Sequence, residues 1–126
     1  MMTVTLGWPS RALSPNARSH WATLARAKKA AREEGYIATW MSQNRRNIYL
    51  SFDGVASVSI QVTFIPPNAR RRDLDNLIAS IKPHLDGISD AIGIDDSRWI
   101  WAAPVMAKPE KPGRVVVTLT PVEVVA

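Results

Sequence analysis

The run Arg70-Arg71-Arg72-Asp73-Leu74-Asp75-Asn76-Leu77, with Asp95-Asp96 some 20 residues on, sets phosphate-binding and cation-binding groups side by side. Guanidinium groups pair bidentately with phosphate oxygens. Carboxylate oxygens suit hard cations such as Mg²⁺ or Mn²⁺. A site that uses both handles a phosphate ester through a metal. The same residues also read as a charged turn ahead of a helix, with Asp75 or Asn76 as the N-cap. The second acidic pair, in a chain of net charge +5, favours the site.

The spacing makes a structural demand. In extended chain, side chains two apart point to the same side, about 7 Å apart at Cα. Asp73 and Asp75 can then approach one metal or a close pair. On a helix they would diverge by about 200°. The chain must therefore stay extended through Asp75. A helix and a tight turn separate Asp75 from Asp96, which brings the second pair back beside the preceding strand. Spacing alone does not say whether Asp95 or Asp96 faces the site. Lys82 falls on the helix face of Asp75, and Asp86 lies four residues further on. Lys82 could offset the charge that develops as water attacks phosphorus, or simply pair with Asp86 on the surface.

The elements that would position these groups follow from periodicity. Thr3 to Trp8 reads as a first strand and Pro9 to Asn16 as a loop. Ala17 to Met41 is rich in helix formers, with Gly35 as a point where the helix could split. Gln43 to Asp53 reads as irregular. Ser57 to Ile65 alternates, with Val58, Ile60, Val62 and Phe64 on one face, and Pro66-Pro67 stops it. A helix spans Asn76 to Ile92 and buries Leu77, Ile81, Leu85, Ile88 and Ile92. Pro83 kinks it or opens a new helix, and Gly93 ends it. Arg98 to Met106 and Val115 to Thr120 read as strands. The order β-α-β-α-β-β predicts a single α/β (α+β) domain over residues 1–126, with helices packed on a mixed sheet.

Bulk properties narrow the function. Hydrophobic residues at 46% supply one modest core for 126 residues. The basic balance favours nucleic acid over a membrane surface, because the apolar residues between Trp21 and Trp40 are mostly alanines. With no cysteine, disulfides, zinc thiolates and a cysteine nucleophile are excluded, and two histidines make a histidine-rich metal site unexpected. Residues 1–25 lack the apolar core of a signal peptide and no segment is long enough to span a bilayer, which points to the cytoplasm of whatever cell makes the chain.

At the Arg70–Leu77 run the chain resembles the RusA family of Holliday junction resolvases, small homodimeric endonucleases common in bacteriophages and prophages. The resemblance covers most of the chain. Trp8-Pro9 with Leu13-Ser14-Pro15-Asn16-Ala17-Arg18 is similar to the family's N-terminal loop, and Ile94-Asp95-Asp96-Ser97 to its second acidic motif. The resemblance implies that Asp73, Asp75 and Asp96 are metal-binding catalytic acids, with Asp95 as a helper. It places the family's helix lysine at Lys82, although this helix carries a few more residues than the shortest members, and Pro83. It further implies Mg²⁺, with Mn²⁺ as a substitute, and a homodimer that cuts two strands of a four-way junction symmetrically in recombination and repair. No organic cofactor and no membrane partner are expected.

The remaining polar and aromatic residues sort against that expectation. Arg70, Arg71 and Arg72, with Asn16, Arg18, His20, Lys28 and Lys29, are the expected DNA contacts. Arg26, Arg32, Arg45 and Arg46 are further cations in and after the first helix. Trp8 is the tryptophan best placed for DNA. Trp21 and Trp40 are expected to pack the first helix, Trp99 and Trp101 to line the core or a dimer interface, and His84 to be exposed. Two other readings stand beside the nuclease. One is a non-catalytic branched-DNA-binding protein of the same fold; the other is a small metal-dependent phosphoesterase. A pure binder gains nothing from carboxylates beside phosphates, and the spread of positive charge favours a long polyanion.

Overall fold

Alternation along Ser57–Ile65 (β2) builds the sheet. Val58, Ile60, Val62 and Phe64 are 1% exposed or less, while Ser57, Ser59, Gln61 and Thr63 lie half-buried on the other face. The computed structural model describes residues 1–18, 20–43 and 45–122. β2 pairs antiparallel with β5 (Arg114–Val122), and β5 pairs antiparallel with β1 (Met2–Gly7). On its other edge β2 pairs in parallel with β3 (Trp99–Trp101) and, further along, with β4 (Val105–Met106). The result is a five-stranded mixed sheet in the order β1-β5-β2-β3, with β4 also beside β2. The α+β class and the mixed sheet are as the sequence predicts.

Among the described residues, four α-helices complete the domain: α1 (Trp21–Ser42), α2 (Arg45–Phe52), α3 (Leu74–Ser80) and α4 (Lys82–Ile92). Leu77, Ile81, Leu85, Ile88 and Ile92 are all buried, as their spacing demands, and share one core with the inward residues of β1, β2 and β5. The break expected near Pro83 falls at Ile81, and Pro83 takes the second position of α4. A proline there loses nothing, because the first-turn N–H groups of a helix have no intrahelical partner. Gly93 closes α4 at φ 73°, its N–H donating to the Ser89 carbonyl at 2.9 Å.

Several expectations fail for identifiable reasons. Gln43 to Asp53 is not irregular: α2 forms there because Ile48 and Phe52, four apart, both reach the core. The strand expected over Arg98 to Met106 divides in two. Pro104, in the gap, has no N–H for the ladder, and the Gln61 Nε2 donates across it to the Ala103 carbonyl at 2.8 Å. Trp21 does not pack α1 but stands 76% exposed, whereas Trp40 lies half-buried against the core. Trp99 is a core residue and its neighbour Trp101, on the open edge, is 44% exposed.

Gly35 does not split α1, because it is the point where α4 crosses. A Cβ at Gly35 would sit 2.0 Å from the His84 carbonyl oxygen, and one at Gly87 would sit 2.0 Å from the Arg32 carbonyl oxygen. The crossing buries His84 to 2% exposure, against the expectation of an exposed residue. Its Nε2 lies 3.3 Å from Glu34 on α1. Arg32 clamps the same pair of helices through two hydrogen bonds to Asp90, at 2.7 and 3.0 Å. Gly87→Ala is expected to lower stability by about 1–3 kcal/mol, since overpacking forces backbone shifts. Urea unfolding measures this, and an unchanged midpoint would contradict the close crossing.

Candidate functional site

β2 ends at the two prolines, and the loop that follows folds on Asn68. The Arg70 N–H donates to Asn68 Oδ1 at 3.0 Å. Arg72 donates from Nη1 to the Asn68 and Arg70 carbonyls at 2.9 and 2.8 Å, and from Nη2 to Asn68 Oδ1 at 2.8 Å. Its guanidinium carbon also sits 5.3 Å from the centre of the Trp8 ring, a cation–π contact. Trp8 in turn meets Phe64 edge-on. Arg72 and Trp8 therefore brace each other as scaffold. Arg70 and Arg71 remain exposed, with no ion pair among the described residues.

The chain does not stay extended through Asp75. Asp73 is the N-cap of α3: its Oδ1 accepts the N–H groups of Asp75 and Asn76 at 2.9 and 3.3 Å. The helix starts at Leu74, so Asp75 belongs to its first turn. A side-chain cap satisfies N–H groups that would otherwise be orphaned, and this local gain outweighs the extended arrangement. Asp75 is exposed at the helix start.

The second acidic pair is bound up with Lys82. The Lys82 Nζ donates to Asp86 at 2.7 Å and also to Asp96. The surface pair with Asp86 thus exists, and the same ammonium also holds Asp96. Burial disfavours the charged ammonium, but the bonds to Asp86 and Asp96 outweigh it and raise the Lys82 pKa. The Lys82 hydrogen bond, then that of Asp95, holds the Asp96 carboxyl below the usual range. Asp95 caps the short 3-10 turn Asp96–Arg98 through the Ser97 N–H at 3.4 Å.

The expected acids therefore fall into two groups. Asp73 lines a cleft with the arginines, whereas Asp95 and Asp96 line another hollow with Asp86 and Asp90. Among the described residues, no group of three or more His, Asp or Glu side chains stands ready to hold a metal ion. Asp73 is occupied by its cap and Asp96 by an ammonium, so the three acids do not form a cage for Mg²⁺ in this structure.

The arginine cleft has a volume near 480 Å³ and lies between the N-terminal loop and the loop after β2. Asn16 lines it, together with Arg11. Arg11 escaped the sequence reading because an isolated cation in a loop carries no periodic signal. His20 has a structural role: its Nδ1 accepts the Ala22 N–H at 3.2 Å and caps α1. Arg18 is exposed. Lys28 and Lys29 line a different groove, beside Arg32 and Lys82. The side chain of Arg45 lies outside the described residues.

A protein of Xylella fastidiosa (strain Temecula1 / ATCC 700964), itself uncharacterized, is 40% identical over 120 residues, covering 95% of this chain and 76% of that protein. The chain belongs to the same family as that protein. No protein-family model matches the chain.

The Lys82–Asp96 contact has a defined pH signature. Asp96 is held below its ordinary value of 3.8, so the stability it contributes is present above that value and lost as pH falls through the depressed one. In Lys82→Met the Asp96 carboxyl is expected to titrate upward, towards 3.8. Carboxyl NMR titration reads this directly, and an unmoved Asp96 would contradict the pairing.

Proposed function

We propose that this chain is a structure-selective endonuclease of the RusA type, which resolves four-way DNA junctions as a homodimer with Mg²⁺, or Mn²⁺ in its place. One observation carries the proposal: Arg70 and Arg71 stand exposed on a cleft whose edge holds Asp73 and the start of α3. Exposed guanidinium groups bind and orient a phosphodiester. The Asp73 carboxylate caps α3, and in this reading it also serves chemistry, since it adds nothing to the binding of phosphates. The net charge of +5 suits a long polyanion.

In this reading Arg70, Arg71 and Asn16 hold the DNA backbone. Asp73 lines the same cleft, and Asp75 is exposed in the first turn of α3 that follows it. Lys82 keeps Asp96 ionised and fixes its direction. Asp73, Asp75 and Asp96 would supply the oxygen ligands of the divalent cation once brought together, and the cation would polarise the phosphodiester. Two copies related by a two-fold axis would present two such sites and cut opposed strands symmetrically. Among the described residues no helix is long and apolar enough to cross a membrane, and a DNA substrate places the activity in the bacterial cytoplasm.

The separation of the acids favours a second reading, a branched-DNA-binding protein without catalysis. Incubation of a labelled four-way junction beside linear duplex of the same sequence separates the two. Paired symmetric nicks on the junction alone, lost in EDTA, are the expected result. Tight junction binding with no cuts in either Mg²⁺ or Mn²⁺ would establish the second reading instead. Asp75→Asn is expected to abolish cleavage and keep junction binding, and a gel-shift and nicking assay on the same preparation checks both.

A further inference from the structure

We infer that the cleft of Arg11, Arg70 and Arg71 is a subsite for a single, unpaired DNA strand. The inference rests on the branched-DNA reading of this cleft and narrows it: the junction is engaged through a strand that has left the base stack.

Shape is the first argument. Duplex sequence is read by convex elements, a helix or a ribbon, that enter a groove about 12 Å wide. Here the cations line a concavity near 480 Å³. That size lies within the range of about 300–1,000 Å³ that encloses small molecules. It suits one nucleotide and its phosphates, and it cannot enter a groove.

The lining is the second argument. Arg11 approaches from the N-terminal loop, and Arg70 and Arg71 come from the loop after β2, so cations face the space from two sides. All three are exposed. Trp8 and Leu77 supply apolar wall, and Asn16 a polar contact. A flat base and a charged phosphate together need such a mixture, which is also how single-strand sites are generally built.

Rigidity is the third. The Arg72 bonds to Asn68 and its contact with Trp8 tie the two walls together. Trp8 is further seated on Phe64. A preorganised cleft loses less entropy on binding.

Fluorescence titration of the full chain with a labelled oligothymidylate of about 12 nucleotides, within the site sizes of single-strand binders, tests this. The competitor is a blunt oligo(dA)–oligo(dT) duplex of the same length, and a four-way junction is titrated in parallel. The single strand is expected to bind, with the duplex competing poorly. The double variant R70A/R71A should lose about tenfold or more in affinity, as charge-assisted contacts imply. R46A removes the same kind of charge from the exposed surface of α2 and should change little. Equal competition by duplex, or an equal loss in R46A, would overturn the inference in favour of general polyanion attraction. Junction binding without single-strand binding would overturn the subsite and leave the branched-DNA reading standing. Binding of neither would overturn both.

Discussion

The backbones of α1 and α4 touch at two glycines, and the arrangement of both acidic and basic groups depends on that contact. At Gly35 and Gly87 the space for a Cβ is already filled by the opposing helix. Once the helices are that close, Arg32 can reach Asp90 and His84 can be buried against Glu34. The register of α4 is then set. With it is set the position of Lys82 at the helix start, and so the ammonium that collects Asp86 and Asp96.

The same crossing reaches the arginine cleft by another route. Glu34 uses one oxygen for His84 and the other to accept the Gly7 N–H at 2.8 Å. Its pKa is lowered chiefly by the His84 hydrogen bond, with the Gly7 bond acting the same way and burial opposing them. Gly7 is the last residue of β1, and Trp8 follows it directly. Trp8 lies against Arg72, and Arg72 closes the loop on Asn68. A path of contacts thus runs from the buried face of α4 to the loop that displays Arg70 and Arg71. The cleft is held by the core rather than by surface loops alone.

The sheet and the apolar stripe were legible because burial imposes period. Val58, Ile60, Val62 and Phe64 had to face one way, and Leu77, Ile81, Leu85, Ile88 and Ile92 had to line a helix. The site was legible only in part. Arg70, Arg71 and Asn16 line one cleft, and the Lys82–Asp86 pair forms as its spacing allows, but the meeting of Lys82 with Asp96 had no signal in the sequence. The extended Asp73–Asp75 arrangement failed because a local cap competes well with any long-range arrangement, and sequence spacing fits both. The burial of His84 is not legible, since a polar residue on a helix looks solvated until its partner, fifty positions away on another helix, is known. The role of Gly35 was hidden for the same reason: a glycine needed for close approach and one that weakens a helix look alike in sequence.

The proposed junction-resolving function requires a DNA strand in the cleft between the N-terminal loop and the loop after β2. A crystal structure of the Asp75→Asn variant bound to a four-way junction measures this most directly. The expected result is a backbone phosphate between Arg70 and Arg71, with the strand continuing past Arg11 and Asn16. Junction arms lying along α1 or across the open face of the sheet, with no phosphate at these arginines, would contradict it.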